Sequence, residues 1–249
     1  MKTIKTLVLA LLFAPALSVA SESVPLDRAP VDPHDVASLQ RGAKMFVNYC
    51  LNCHNAGFMR YNRLRDIGLS EDQIRDNLVF TGAKVGELMK VAMDPKDAKE
   101  WFGAAPPDLT VVARSRSSPA GSGGDWIYTY LRSFYRDASR PTGWNNVVFP
   151  NVGMPHALWE LQGQQVLKEV EEDGPGYKRL VHKLTLETPG KISAVEYDRA
   201  VADLVNYMEY MAEPARYSRW LIGVWVLAAL SILFVLTYAL KKEFWKDVH

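Results

Sequence analysis

The chain has 249 residues, with 29 Lys and Arg against 28 Asp and Glu for a formal charge of +1. That balance does not mark it for nucleic acid, and the length suits one sizeable domain or two small ones with a proper core. Its 2 cysteines fall within one short motif, which leaves none for a structural disulfide.

The N-terminus carries a basic pair, Lys2 and Lys5, then an apolar run from Leu7 to Leu17, then the small residues Ser18-Val19-Ala20. This is the anatomy of a secretory leader, and the run is short for an uncleaved span. We expect a signal peptide over residues 1–20 and a mature chain from Ser21. After a Pro-rich lead-in to Pro33, Asp35 is placed to cap a helix whose apolar face is Val36, Leu39, Ala43, Phe46, Val47 and Cys50.

That helix runs into Cys50-Leu51-Asn52-Cys53-His54. C-x-x-C-H is the attachment signature of a c-type haem. Two thiols three positions apart can each add across one vinyl group, and the adjacent imidazole then lies under the iron. A thioredoxin-like C-x-x-C would want a βαβ context, whereas a helical pattern precedes Cys50. A structural zinc site would need four ligands, and there is no second Cys pair. One such motif implies one haem c, attached through Cys50 and Cys53, with His54 as fifth ligand.

Further along, Ser70 and Gln73 are spaced as a capping box for a short helix reaching Leu78. Asp94-Pro95 reads as a break, and Pro106-Pro107-Asp108 as a rigid extended turn. Ser115 to Gly124 reads as a flexible loop without the Gly-Lys-Ser/Thr ending of a phosphate-binding loop. Asp125 is expected to cap a helix carrying Trp126/Ile127, Tyr130/Leu131 and Phe134/Tyr135. Arg140 to Gln162 looks irregular, Glu169 to Asp173 is an acidic cluster, and Leu180 to Leu186 alternates as a short strand. Ser193 and Glu196 form another capping box, before a helix face from Tyr197 to Met211 that ends at Glu213-Pro214.

From Trp220 to Leu240 there is no charged residue. About twenty apolar residues are what a helix needs to cross a bilayer. Trp220, Tyr238 and Trp245 are placed like interfacial aromatics, with Trp225 deeper. The expected organisation is a periplasmic haem domain over residues 21–217, an anchor helix over 218–240 and a cytoplasmic tail over 241–249. Lys241, Lys242 and Lys246 follow the span while Arg216 and Arg219 precede it, so the expected orientation rests mainly on the leader.

A haem that only carries electrons has both axial positions filled, and His/Met ligation raises its potential. Met154, in Phe149-Pro150-Asn151-Val152-Gly153-Met154-Pro155, fits the sixth position best, because Gly153 and Pro155 let the backbone come close and hold it. Met208, Met211, Met89 and Met93 read as core. His156 and His182 are rivals for bis-His ligation, His34 is a weaker one, and His249 lies beyond the span.

Taken together, Cys50 to His54, Tyr61-Asn62-Arg63-Leu64, Pro106-Pro107-Asp108-Leu109, the Met154 loop, Met211 to Arg216 and the Lys241 to His249 ending resemble the bacterial cytochrome c1 family over nearly the whole chain. The resemblance implies a mainly α fold: a class I cytochrome c-like haem domain with insertions, plus one C-terminal transmembrane helix. It implies a subunit of the cytochrome bc1 complex, ubiquinol–cytochrome c reductase, dimeric, in the bacterial inner membrane with cytochrome b and a Rieske iron–sulfur protein. Electrons would come from the Rieske protein and leave to a soluble or anchored cytochrome c, with no bond chemistry on a substrate and so no catalytic residue. It further implies Met154 as sixth ligand, Pro107 beside the haem, and Arg114 against a haem propionate, where guanidinium can pair with carboxylate. The loop from Ser115 to Gly124 departs from the family's usual short link. Two other readings compete: an anchored cytochrome c that serves a terminal oxidase, and a haem enzyme or gas sensor with an open sixth position.

Overall fold

The computed structural model describes residues 24–174, 177–216 and 218–247. The expected signal peptide lies outside the described residues, as do Pro175 and Gly176, Tyr217, and the final Val248 and His249.

Helix α1 (Val36–Met45) starts where expected: the Asp35 carboxylate accepts from Ser38 N–H at 2.9 Å. Leu39 and Ala43 face the core, and the helix then widens into a π-helical turn, Phe46–Cys50. Such turns insert one residue and re-aim the chain beyond them. Here the turn delivers Cys50 to the end of the helix.

Strand β1 (Ala56–Arg60) and a 3-10 turn (Tyr61–Ile67) come next, then α2 (Glu71–Leu78), which has the full Ser70/Gln73 capping box. Strand β2 (Leu88–Met89) pairs antiparallel with β1. The expected break at Asp94-Pro95 is instead the start of α3 (Pro95–Phe102), since Asp94 accepts from Lys96 N–H and proline suits the first helical position. A short helix α4 (Val112–Ser115) precedes α5 (Gly123–Arg132).

Asp125 does not cap α5. Ser122 does, with Asp125 three positions inside it, completing a capping box. The carboxylate also accepts from Ala29 N–H at 2.8 Å, tying the lead-in to the helix. Burial pushes this carboxyl up, but the N–H groups of Ala29 and Ser122 and the Ser122 hydroxyl outweigh it, holding it below its ordinary 3.8. A depressed carboxyl stabilises the fold above the unfolded-state pKa and stops doing so as pH falls through the folded-state value. Asp125→Ala should therefore cost about 1 kcal/mol at pH 7. Denaturant midpoints measured down a pH series should show the gap from wild type narrowing below 3.8.

The helical spacing of Phe134/Tyr135 is broken. After Ser133 the chain enters β3 (Phe134–Arg136), antiparallel to β4 (Trp144–Asn146). A short turn of helix, α6 (Trp159–Gln162), leads to a long ribbon, β5 (Gly163–Gly174) with β6 (Tyr177–Pro189). The alternation from Leu180 to Leu186 predicts only a short strand there. The acidic cluster lies in β5, where Glu169 stands opposite His182, Oε1 to Nε2 at 3.4 Å, and Lys168 reaches Glu187 at 3.3 Å. Cross-strand charge pairs support a ribbon whose faces are not apolar.

Helix α7 (Ala194–Ala212) carries the Ser193/Glu196 capping box and buries Tyr197, Val201, Leu204, Val205, Met208 and Met211. It packs across α1 and α5. The α1/α7 crossing is so close that a Cβ on Gly42 would fall 2.0 Å from the Asp203 carbonyl oxygen and 2.7 Å from Tyr207 Cβ. Arg41 pairs with Asp203 at 2.6 Å beside it. The fold is thus mainly helical, with three two-stranded sheets among the described residues. The last helix, α8 (Arg219–Phe244), has 26 residues, a mean hydropathy of 2.4 over its most apolar window, and no buried residue. Among the described residues it is the one helix long and apolar enough to cross a membrane. Its Ser231 and Thr237 hydroxyls bond back to the Leu227 and Leu233 carbonyls at 2.8 and 2.9 Å, so neither is stranded in an apolar setting.

Candidate haem site

Past the π-turn the backbone closes on itself: Cys53 N–H and His54 N–H both donate to the Cys50 carbonyl, at 3.1 and 2.9 Å. This tight turn presents Cys50, Cys53 and His54 together. No disulfide joins Cys50 and Cys53, so both sulfurs remain for attachment of a prosthetic group. Before attachment, burial, helped by Cys53, pushes the Cys50 thiol up to about 12, and burial raises Cys53 too.

His54 is 9 % exposed, and its Nδ1 lies 2.8 Å from the Pro107 carbonyl oxygen. A carbonyl can only accept, so Nδ1 carries the proton and Nε2 keeps a free lone pair. Fixing one ring nitrogen is how a protein orients a metal-binding imidazole. Burial lowers the His54 pKa against the opposing pull of Pro107 and Asp108, which favours the neutral ring a ligand requires.

The Pro106–Thr110 segment is laced to the chain just after the motif. Leu109 N–H donates to the Asn55 carbonyl at 2.8 Å, and the Asn55 side chain accepts from Val91 N–H at 2.8 Å. Asp108 accepts from Gly57 N–H at 2.6 Å and from the Thr110 N–H and hydroxyl at 2.8 and 2.5 Å. Sequence reasoning singles out Pro107 but misses Asn55, Asp108 and Thr110, which hold its carbonyl in place. Asp with Thr two positions on, directly after two prolines, is the Asx-turn signal that could have found them.

Met154 is half-buried and packs against the same core as Cys50, Leu109 and Trp126. Its loop is clamped by two asparagines. The Asn145 side-chain oxygen accepts from Asn151 N–H at 2.8 Å, while Asn146, fully buried, accepts from Val148 and Phe149 N–H at 2.9 and 3.1 Å. Asn151 sits at φ 63°, a left-handed conformation that asparagine tolerates better than most residues, and Arg140 donates to its side chain and carbonyl.

The rivals for the sixth position are placed differently. His156 is 2 % exposed, stacked on Phe134 at 4.8 Å and edge-on to Trp144 at 5.1 Å. Burial lowers it to about 4. The Gln162 side chain opposes that shift, and neither ring nitrogen makes a well-formed hydrogen bond. His182 is exposed on the ribbon against Glu169, His34 is exposed before α1, and Met89, Met208 and Met211 are buried core. Arg114 lines a cavity of about 240 Å³ with Ser117, Ser122, Glu209, Glu213 and Arg216, near the start of α8. Arg116, by contrast, lies over Trp126 at 4.4 Å and Phe149 at 5.6 Å, beside the Met154 loop.

These residues fit a covalently held haem. Two cysteines share one turn with an imidazole whose free nitrogen is Nε2. Cys50, Cys53 and His54 are the side chains a covalent haem c requires, brought together by one turn.

Comparison with known proteins agrees. Residues 27–167 match the Cytochrome C1 family. The chain is 49% identical to cytochrome c1 of Allochromatium vinosum over 96% of both chains, and 52% identical, over the whole of both, to a Nitrosomonas europaea protein named ammonia monooxygenase gamma subunit. It is 27% identical to cytochrome c1 of Rhodospirillum rubrum over 86% of this chain and 83% of that one. With a family match over more than half its length and close relatives along all of it, the chain belongs to the cytochrome C1 family and carries haem c on its Cys50–His54 motif.

Proposed function

We propose that this chain is the cytochrome c1 subunit of a bc1 complex, assembled with cytochrome b and a Rieske iron–sulfur protein in a dimeric complex. It takes electrons one at a time from the Rieske protein and passes them to a soluble or anchored cytochrome c. The haem supplies the one-electron couple. Cys50 and Cys53 hold it, His54 and Met154 are its axial ligands, and the Pro107 carbonyl keeps the His54 ring aimed. Two arginines are candidates for a haem propionate: Arg114, which lines a cavity whose Glu209 and Glu213 pair with Arg216 and Arg219, and Arg116, which lies over Trp126 beside the Met154 loop. The haem domain, residues 21–217, stands in the periplasm, α8 crosses the inner membrane, and the tail is cytoplasmic. Glu169 to Asp173 would steer a basic cytochrome c, a rate effect that falls with salt.

The observation that carries this reading is the His54 imidazole pinned at 2.8 Å by Pro107 directly behind the C-x-x-C turn. Similarity to a cytochrome c1 along 96% of the chain supports the assignment to the complex. A second reading takes its warrant from the name of the Nitrosomonas relative: a haem subunit that accompanies a monooxygenase. On that reading too, the haem on the Cys50–His54 motif would carry electrons, here for the monooxygenase.

A gentle detergent pull-down of the tagged protein, followed by reduced-minus-oxidised spectra, separates the readings. Co-purifying b-type haem, a Rieske signal and quinol-dependent cytochrome c reduction are expected. Co-purification with monooxygenase subunits or a copper oxidase, without b-type haem, would overturn the proposal.

A further inference from the structure

Met154 has a polar neighbour that ligation alone does not explain. The Tyr130 hydroxyl donates to Met154 Sδ at 3.4 Å. The ring is wedged between Trp126, stacked at 4.8 Å and 13°, and Phe134, edge-on at 5.0 Å and 68°. Tyr130 is only 9 % exposed, so little water competes for its hydroxyl. Burial raises its phenol far above the ordinary 10, although Arg116 pulls the other way, and the group stays an O–H donor.

The donor and the sulfur are also tied to each other through the backbone. Asn146 donates from Nδ2 to the Tyr130 carbonyl at 2.8 Å, while its Oδ1 takes the Val148 and Phe149 N–H groups that open the Met154 loop. One buried amide therefore joins the end of α5 to the loop, and the hydroxyl–sulfur contact is built in twice.

A thioether sulfur has two lone pairs. With one committed to a metal, the other can accept a hydrogen bond, and that bond draws electron density from the sulfur. The loss weakens donation to ferric iron more than to ferrous iron, so it favours the reduced state. We propose that Tyr130 is a positioning residue for Met154, aiming its sulfur and raising the haem potential through a hydrogen bond to it. This rests on the reading of Met154 as an axial ligand.

Tyr130→Phe removes the hydroxyl and keeps the ring stack. In the full-length protein in its membranes, redox titration should show the equilibrium constant for haem reduction falling about two- to tenfold, the range of an ordinary hydrogen bond. The red-region charge-transfer band of a thioether bound to ferric haem should persist. Tyr197→Phe is the control: that phenol is buried as deeply and donates to the Leu131 carbonyl at 2.8 Å, but meets no sulfur. It should lower stability and leave the potential alone.

In unaltered protein, exchange into deuterium oxide should shift the iron–thioether stretch. An unshifted potential in Tyr130→Phe, or an equal shift in Tyr197→Phe, would overturn the role of Tyr130. Loss of the charge-transfer band is expected in Met154→Leu. Its persistence there would instead overturn the ligand reading beneath.

Discussion

Met154→Leu should leave a folded protein whose reduced haem binds carbon monoxide and whose potential has dropped by on the order of hundreds of millivolts, within the span of about 0.8 V over which axial ligands tune haems. Leucine is close to methionine in volume, so packing should cost under about 1.5 kcal/mol. The larger losses are chemical. On the proposed ligation the iron loses its soft sixth donor, and the Tyr130 hydroxyl is left buried without its acceptor, at about 1–3 kcal/mol. The Asn145 and Asn146 clamps do not involve the Met154 side chain, so the loop itself should hold. Carbon monoxide difference spectra check this directly. Failure of the variant to bind it would mean that another residue, with buried His156 first in line, fills the site.

The second large effect is on the scaffold. Gly42→Ala places a methyl group 2.0 Å from the Asp203 carbonyl oxygen, where the neighbour is backbone that cannot swing aside. Helices α1 and α7 must move apart, at about 1–3 kcal/mol or more, a large share of the 5–15 kcal/mol that holds a typical domain. Because α1 delivers Cys50 and Cys53, the damage should appear as poor yield of covalently attached haem on denaturing gels, together with a lowered denaturant midpoint. Gly86→Ala is the matched control. A Cβ there meets nothing within 4 Å, and stability should change by less than about 0.5 kcal/mol.

The parts of the molecule legible from sequence are those governed by local rules. The Asp35 and Ser193 caps, the Ser70/Gln73 box and the apolar run of α8 depend on residues a few positions apart, and each stands where its pattern puts it. The motif itself is equally local. What escaped depended on partners far along the chain. Phe134 and Tyr135 continue a helical spacing, yet pairing with Asn146 and Asn145 pulls them into a strand. The polar run Glu169 to Asp173 becomes half of a ribbon only when β6 lies opposite.

The same holds for the site. Pro107 is visible in the sequence as a turn, but its carbonyl is held by Asp108 and Asn55 reaching Gly57 and Val91. Tyr130 reads as part of a helix face, and its contact with Met154 spans 24 positions. Arg114 and Arg116 differ in sequence only by position, and packing leaves one lining a cavity near the start of α8 and sends the other over Trp126.

The central claim is that this haem receives its electrons from a quinol-linked Rieske protein. The most direct test is rapid-mixing reduction of the c-type haem by quinol, in membranes that contain the Rieske protein and in matched membranes that lack it. Prompt reduction is expected in the first and almost none in the second. Equal rates in both would contradict it.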